Sequence, residues 1–266
     1  MAGLLQGHIA IITGAGGGFG RAIAARFAAE GAALTVTSRT KAQLNETVAQ
    51  IEAAGGRGLS VVGDATDRAD VERVVRETQR RLGPISILVS NAGIPGPFGP
   101  IGEIDPDDWW AAQAVHLRAP FLFATAVLPQ MKERRAGCII TICSPRAKMV
   151  TPNLSAYCLG KTSQTRLMQL LASEVRDFGI TAVAVDPGSA ITQMAEATIN
   201  SPDAQRWMPD MVANLRRMLA QAVTQPGSGG GQLEKCAQRC VEIAAGLHPE
   251  WNGMYIGRNE TADEWK

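Results

Sequence analysis

The sequence of 266 residues predicts an α/β fold, a doubly wound parallel sheet with helices on both faces, and three observations carry that prediction. Most of six short β-branched runs lack the polar alternates of a half-exposed strand, as strands buried on both faces do. Between them lie longer stretches with apolar residues three and four apart, the spacing of an amphipathic helix. A glycine-rich turn joins the first run to the first such stretch, and strand then helix, repeated, builds a parallel sheet covered by helices.

In chain order, the first strand is 8–13 (HIAIIT), followed by the glycine turn and a helix over 21–30. Strands at 33–37, 59–62 and 85–90 alternate with helices at 41–54 and 67–82. The longest helical stretch, 106–135, precedes a strand at 138–143, and a helix over 155–178 precedes a strand at 181–185. A less regular insertion, 189–225, carries Met194, Trp207, Met208, Met211 and Met218 and closes in the connector PGSGGG, 226–231, so that a lid is expected at about 189–231. A helix at 234–246 and a short strand at 254–256 complete the pattern, and no break in composition divides it. One domain over 1–266 is the expectation.

A net charge of +1, with 19% charged and 45% hydrophobic residues, gives no general pull toward phosphate backbones or acidic lipid. Neither nucleic acid nor membrane is an expected partner. The first residues lack the basic and apolar regions of a secretory signal, and no stretch approaches the roughly 18 uninterrupted apolar residues of a spanning helix. Five cysteines, an odd number in a chain too large to need staples, fit a reduced, cytoplasmic protein. Cys236 and Cys240 stand four apart without a further ligand at metal spacing, so no metal site is expected.

Glycines in Thr13-Gly14-Ala15-Gly16-Gly17-Gly18-Phe19-Gly20 allow a tight turn and close approach to a pyrophosphate at the positive end of the next helix. Here the chain resembles the short-chain dehydrogenase/reductase family, a Rossmann-like fold whose TGxxxGxG motif maps onto Thr13, Gly14, Gly18 and Gly20. The resemblance implies that these residues and Phe19 hold a dinucleotide, with Asp64 and Ala65 at the adenine. It further implies Asn91-Ala92-Gly93 as the family's NAG segment, and Pro187, Gly188 and Thr192 beside the nicotinamide. Each also has a plain local reading: Asp64 as a helix cap, the other two segments as turns. At the end of the second strand, Ser38 and Arg39 offer donors and no acid, which favours the 2′-phosphate of NADP(H); NAD(H) is the alternative, since Gly17 stands where many NADP-using relatives carry a basic residue.

Tyr157 and Lys161 are four apart on a predicted helix, hence on one face, and a nearby ammonium favours the phenolate. Ser144 ends the fifth strand thirteen residues earlier, the interval the family shows. By resemblance, Tyr157 is the general acid or base, Lys161 lowers its pKa and holds the nicotinamide ribose, and Ser144 orients the carbonyl or alcohol. His116 stands where the family carries an asparagine that holds a water in the proton relay. Two readings of it stand: a relay member that titrates near neutral pH, or a packed core histidine.

The segments 94–101, 145–154 and the lid carry few charges, which suggests a hydrophobic or aromatic alcohol or ketone as substrate. Resemblance implies a homodimer or homotetramer formed through the helices 106–135 and 155–178. The function expected is an NADP(H)-preferring oxidoreductase of secondary alcohols or ketones. An NAD-dependent enzyme of the same fold, or a catalytically silent nucleotide-sensing module, is the alternative.

Overall fold

The computed structural model describes residues 3–224, 230–259 and 262–263. Eight strands form one sheet in the order β3-β2-β1-β4-β5-β6-β7-β8. They are β1 (Ile9–Thr13), β2 (Ala33–Ser38), β3 (Arg57–Val62), β4 (Ile87–Ser90), β5 (Gly137–Ile142), β6 (Ile180–Val185), β7 (Tyr255–Ile256) and β8 (Ala262–Asp263). The first seven run parallel, and β8 pairs antiparallel with β7, an edge the sequence did not signal.

Both faces of the sheet are covered, which explains the missing polar alternates. Ala10 and Ile12 of β1 join a core with Phe27, Leu44 and Val241, under helices α1 (Gly18–Ala29), α2 (Lys41–Ala53) and α10 (Gly230–Ala244). Ile9 and Ile11 face the opposite way into a core with Val74, Phe123 and Met168, under α3 (Arg68–Arg81), α5 (Ala119–Arg134) and α6 (Ser155–Glu174). Two apolar layers on one strand need apolar residues at every position.

Strand order reverses at β1, which pairs with β2 on one side and β4 on the other, so a crevice opens beyond the carboxyl ends of β1 and β4. Four sequence expectations shift. The first helix begins at Gly18, inside the glycine turn, because glycine at the turn does not break apolar periodicity that only starts later. The helix expected over 155–178 ends at Glu174 and passes into a 3₁₀ turn, Arg176–Phe178, closed by Gly179 at φ +63°. The insertion is helical rather than irregular: α7 (Gln193–Asn200), α8 (Pro202–Trp207) and α9 (Pro209–Thr224), with prolines at the starts of the last two. The connector expected at 226–231 is helical from Gly230, and 226–229 lie outside the described residues.

The long stretch 106–135 contains α4 (Pro106–Gln113), a π-helical turn (Ala114–Arg118) and α5. Pro120 supplies the cause: without an N–H it cannot bond the carbonyl of His116 four residues back, and its ring crowds that carbonyl. Among the described residues, Pro106–Arg134 alone is long and apolar enough to cross a membrane by length and composition. Its buried residues, Ala112, Phe123, Val127 and Met131 among them, are spent on packing inside this fold.

Candidate active site

Thr13, at the end of β1, accepts on Oγ1 from the backbone N–H groups of Asn91 (3.0 Å) and Ala92 (3.1 Å). Asn91 in turn donates from Nδ2 to the carbonyls of Thr13 (3.0 Å) and Gly14 (3.1 Å). These bonds join the ends of β1 and β4 and leave no room for side chains between them. A Cβ on Gly14, whose φ is +62°, would lie 2.8 Å from the Ala92 Cα, and one on Gly20 would lie 2.5 Å from Asn91 Nδ2. From behind, Thr47 Oγ1 donates to the Ala15 carbonyl (2.8 Å) and accepts from Arg21 Nε (3.0 Å), tying the turn to α2.

No side chain caps the start of α1, and no acid lies in its first turn. Its N–H groups therefore meet the cleft with the positive end of the helix dipole, the arrangement that receives a pyrophosphate. The residues present fit a dinucleotide on that observation.

The cleft, about 930 Å³, is lined by Ser38, Arg39, Asp64 and Ala65 at one end, by Gly14, Gly18 and Phe19 in the middle, and by Ala92, Gly93, Tyr157 and Lys161 at the other. Pro187, Gly188 and Thr192 line it as well, and Thr192 Cγ2 sits 3.0 Å from where a Gly18 Cβ would stand. Asp186 Oδ1 accepts from the Gly188 N–H (2.9 Å), which shapes that turn. Asp64 does not cap α3; Asp67 does, accepting from the Asp70 N–H (2.8 Å), while Asp64 Oδ1 binds the N–H and hydroxyl of Thr66, both at 2.8 Å. Thr13, Gly20, Ser144 and His116 are buried behind the lining.

At the catalytic end, the backbone N–H of Arg146 donates to Ser144 Oγ (3.2 Å), so the hydroxyl proton of Ser144 is left for another acceptor. Lys161 is buried, and its Nζ donates to the Ile142 carbonyl (2.8 Å) and to Gln164 Oε1 (3.0 Å), 5.6 Å from the centre of the Tyr157 ring. Burial pushes Tyr157 up to about 12, and the hydroxyl of Ser144 acts in the opposite sense. Burial also takes Lys161 down to about 8. The sequence argument for an ammonium that draws Tyr157 toward phenolate is thus outweighed by desolvation of both groups.

His116 sits in the π turn, 0% exposed, and Gly160 makes space for it: a Cβ there would lie 2.6 Å from the His116 Cβ. Its Nε2 donates to the Ile94 carbonyl (3.0 Å), and its ring meets the Tyr157 ring edge-on, with centroids 5.4 Å apart. Burial, and then the charge of Lys161, hold its pKa down to about 3. Burial thus favours the neutral imidazole over one that titrates near neutral pH. The sequence reading passed over two residues here. Gln164 is signalled by its place three residues after Lys161 on one helix face. Arg146, two residues after Ser144, lines the cleft.

A family model described as short chain dehydrogenase matches residues 8–203. A short chain dehydrogenase of Pseudocercospora fijiensis is 35% identical over 253 residues, covering 93% of this chain and 81% of that protein. Among solved structures, levodione reductase aligns with a TM-score of 0.83 at 25% identity, over 95% of this chain and 96% of that one. A gluconate 5-dehydrogenase from Burkholderia cenocepacia, in complex with NADP and tartrate, aligns with a TM-score of 0.79 at 27% identity, over 95% and 94%.

Proposed function

The chain belongs to the short-chain dehydrogenase family, NAD(P)-dependent oxidoreductases acting on CH–OH and C=O groups, and from that premise we propose an NADP(H)-preferring oxidoreductase of hydrophobic or aromatic secondary alcohols and the matching ketones. One observation carries the reading: neutral Tyr157 stands beside Ser144 and Lys161 at one end of a cleft whose other end offers Ser38, Arg39 and no acid after β2.

A bound nicotinamide dinucleotide supplies the hydride from its C4. Ser144, one lone pair engaged by the Arg146 N–H, donates a hydrogen bond to the substrate carbonyl oxygen and holds it in place while keeping its proton. Tyr157, protonated throughout the neutral range, transfers its proton to that oxygen as hydride reaches the carbon, giving the alcohol and the oxidised cofactor. Lys161, still largely an ammonium at pH 7, is held from behind by Ile142 and Gln164 and stabilises the phenolate left on Tyr157.

Arg39 pairs with the 2′-phosphate, and Ser38 adds a donor. Apolar residues exposed on α4 to α6, Trp110 and Phe121 on one side and Leu159 and Leu170 on the other, support a homodimer or homotetramer through this face. All five cysteines are free, in keeping with a reducing, cytoplasmic setting.

Paired titrations with NADPH and NADH, followed by their oxidation against aromatic and alicyclic ketones, test the reading with Tyr157→Phe as control. Tighter NADPH binding and turnover lost in the variant are expected. Binding of neither cofactor, or turnover that survives in the variant, overturns it.

A further inference from the structure

Resting on the reductase reading, we propose that Arg146 recognises a carboxylate on the substrate, so that the substrate is an apolar oxo acid or the matching hydroxy acid. Around the reacting groups the cleft is walled by Phe98, Leu154, Met194, Met211 and Met218. Apart from Lys161, the one charged side chain lining this end is Arg146; the carboxylate in the lining, Asp64, belongs to the adenine end.

Arg146 is held rather than loose. Its backbone N–H bonds Ser144 Oγ, and its Nη1 donates to Thr151 Oγ1 (2.9 Å). The guanidinium is part-buried, and no carboxylate among the described residues pairs with it. That contact fixes one arm of the fork and leaves the Nε–Nη2 edge without a protein acceptor among the described residues. A carboxylate matches that edge in plane with two parallel hydrogen bonds.

The free edge of the guanidinium carries its full charge in a cleft otherwise walled by apolar side chains, and an anionic ligand supplies the acceptors that the protein does not. The backbone of Arg146 bonds Ser144 Oγ and its side chain lines the same cleft as Tyr157, so a carboxylate on the substrate and the carbonyl that Ser144 holds would share one site.

The probes are 4-acetylbenzoate and its neutral isostere 4-acetylbenzamide. Calorimetry on the NADP⁺-saturated protein gives the ratio of their Kd values, and NADPH oxidation gives the ratio of their kcat/KM values. We expect the wild type to favour the acid by about tenfold or more, the worth of a charge-assisted pair. Arg146→Gln should abolish that ratio, and Arg146→Lys, a point charge without the planar fork, should keep only part of it. Thermal unfolding and NADPH titration of both variants separate loss of recognition from loss of fold.

Equal binding of acid and amide to the wild type, binding of neither, or a preference that persists in Arg146→Gln overturns the proposal. Turnover of both probes without discrimination would sink the carboxylate site and leave the reductase standing. Selective binding of the acid without Tyr157-dependent NADPH oxidation would do the reverse.

Discussion

At the nucleotide end, the cleft is walled by backbone: the Thr13 and Asn91 bonds join two strands, and the uncapped start of α1 presents N–H groups. At the substrate end, it is walled by side chains of α7 and α9, fastened to the body through Asn153, whose Nδ2 donates to the Trp207 carbonyl (3.0 Å). A phosphate is the same in every member of a cofactor class, so its cradle can be built from backbone N–H groups held by a few fixed side chains such as Thr13 and Asn91. A substrate differs from enzyme to enzyme, and methionines on separate helices can be exchanged with little disturbance of the sheet. Binding is rigid where the ligand is constant and adjustable where it is not.

Tyr157 stands at the catalytic end, and its loss is the largest effect expected. Tyr157→Phe should lower kcat by about 10²- to 10⁴-fold, the range of a positioned proton donor, while the protein still binds cofactor. Stopped-flow measurement of NADPH oxidation checks this. A loss below tenfold would mean that water or Ser144 delivers the proton.

The contrast between the ends is tested most directly by a pair of conservative changes. In Gly20→Ala, the new Cβ meets Asn91 Nδ2 at 2.5 Å and the Gly14 carbonyl oxygen at 2.6 Å, so the strand junction must shift. A cost of about 1–3 kcal/mol in stability, with weakened binding of both cofactors, is expected from such overpacking. Met211→Leu, in the partly buried lid cluster, should cost less than about 1.5 kcal/mol and change KM for ketones more than the Kd of NADPH. Denaturant titration and cofactor titration of both variants would break the comparison if the lid change proved the more damaging to cofactor binding.

Within the nucleotide end, Arg39 is an adjustable part. Arg39→Asp should weaken NADPH by about tenfold or more and leave NADH little changed, because an acid there accepts from a ribose hydroxyl and repels a 2′-phosphate. Fluorescence titration with both cofactors decides it. An equal change for the two would place Arg39 over the adenine instead.

The same division explains what was legible in the sequence. Thr13, Gly14, Gly18, Gly20 and Asn91 could be found because backbone geometry permits few residue types at those positions. The lid read as irregular because Pro202 and Pro209 restart the helix and cut its apolar period into pieces too short to register. The π turn was hidden because Pro120 suits both the first turn of a new helix and a kink in an old one. Arg146 and Gln164 were missed for a different reason. Their roles depend on Thr151, Ser144 and Lys161, contacts that no local periodicity encodes.

His116 carries the smallest expected effect on rate and the clearest one on stability. Neutral, with Nε2 on Ile94, it neither gains nor loses a proton in the working range, so His116→Asn should keep kcat within about threefold. Stability behaves otherwise. The folded pKa of about 3 lies below the ordinary imidazole value of about 6.5, so between those values the unfolded chain binds the proton that the native state refuses. Stability must then fall as pH drops below about 6.5, by up to about 1.4 kcal/mol per pH unit from this group, and the asparagine variant lacks that contribution. Urea titrations of both proteins from pH 7 to pH 4 give the two slopes. Parallel slopes would show that His116 escapes burial or finds a charged partner as the pH falls, whereas a shallower slope in the variant makes it a histidine buried in the neutral form beside Tyr157; retained kcat would mean that histidine and asparagine are interchangeable here, and a collapse of kcat with unchanged folding would reject that.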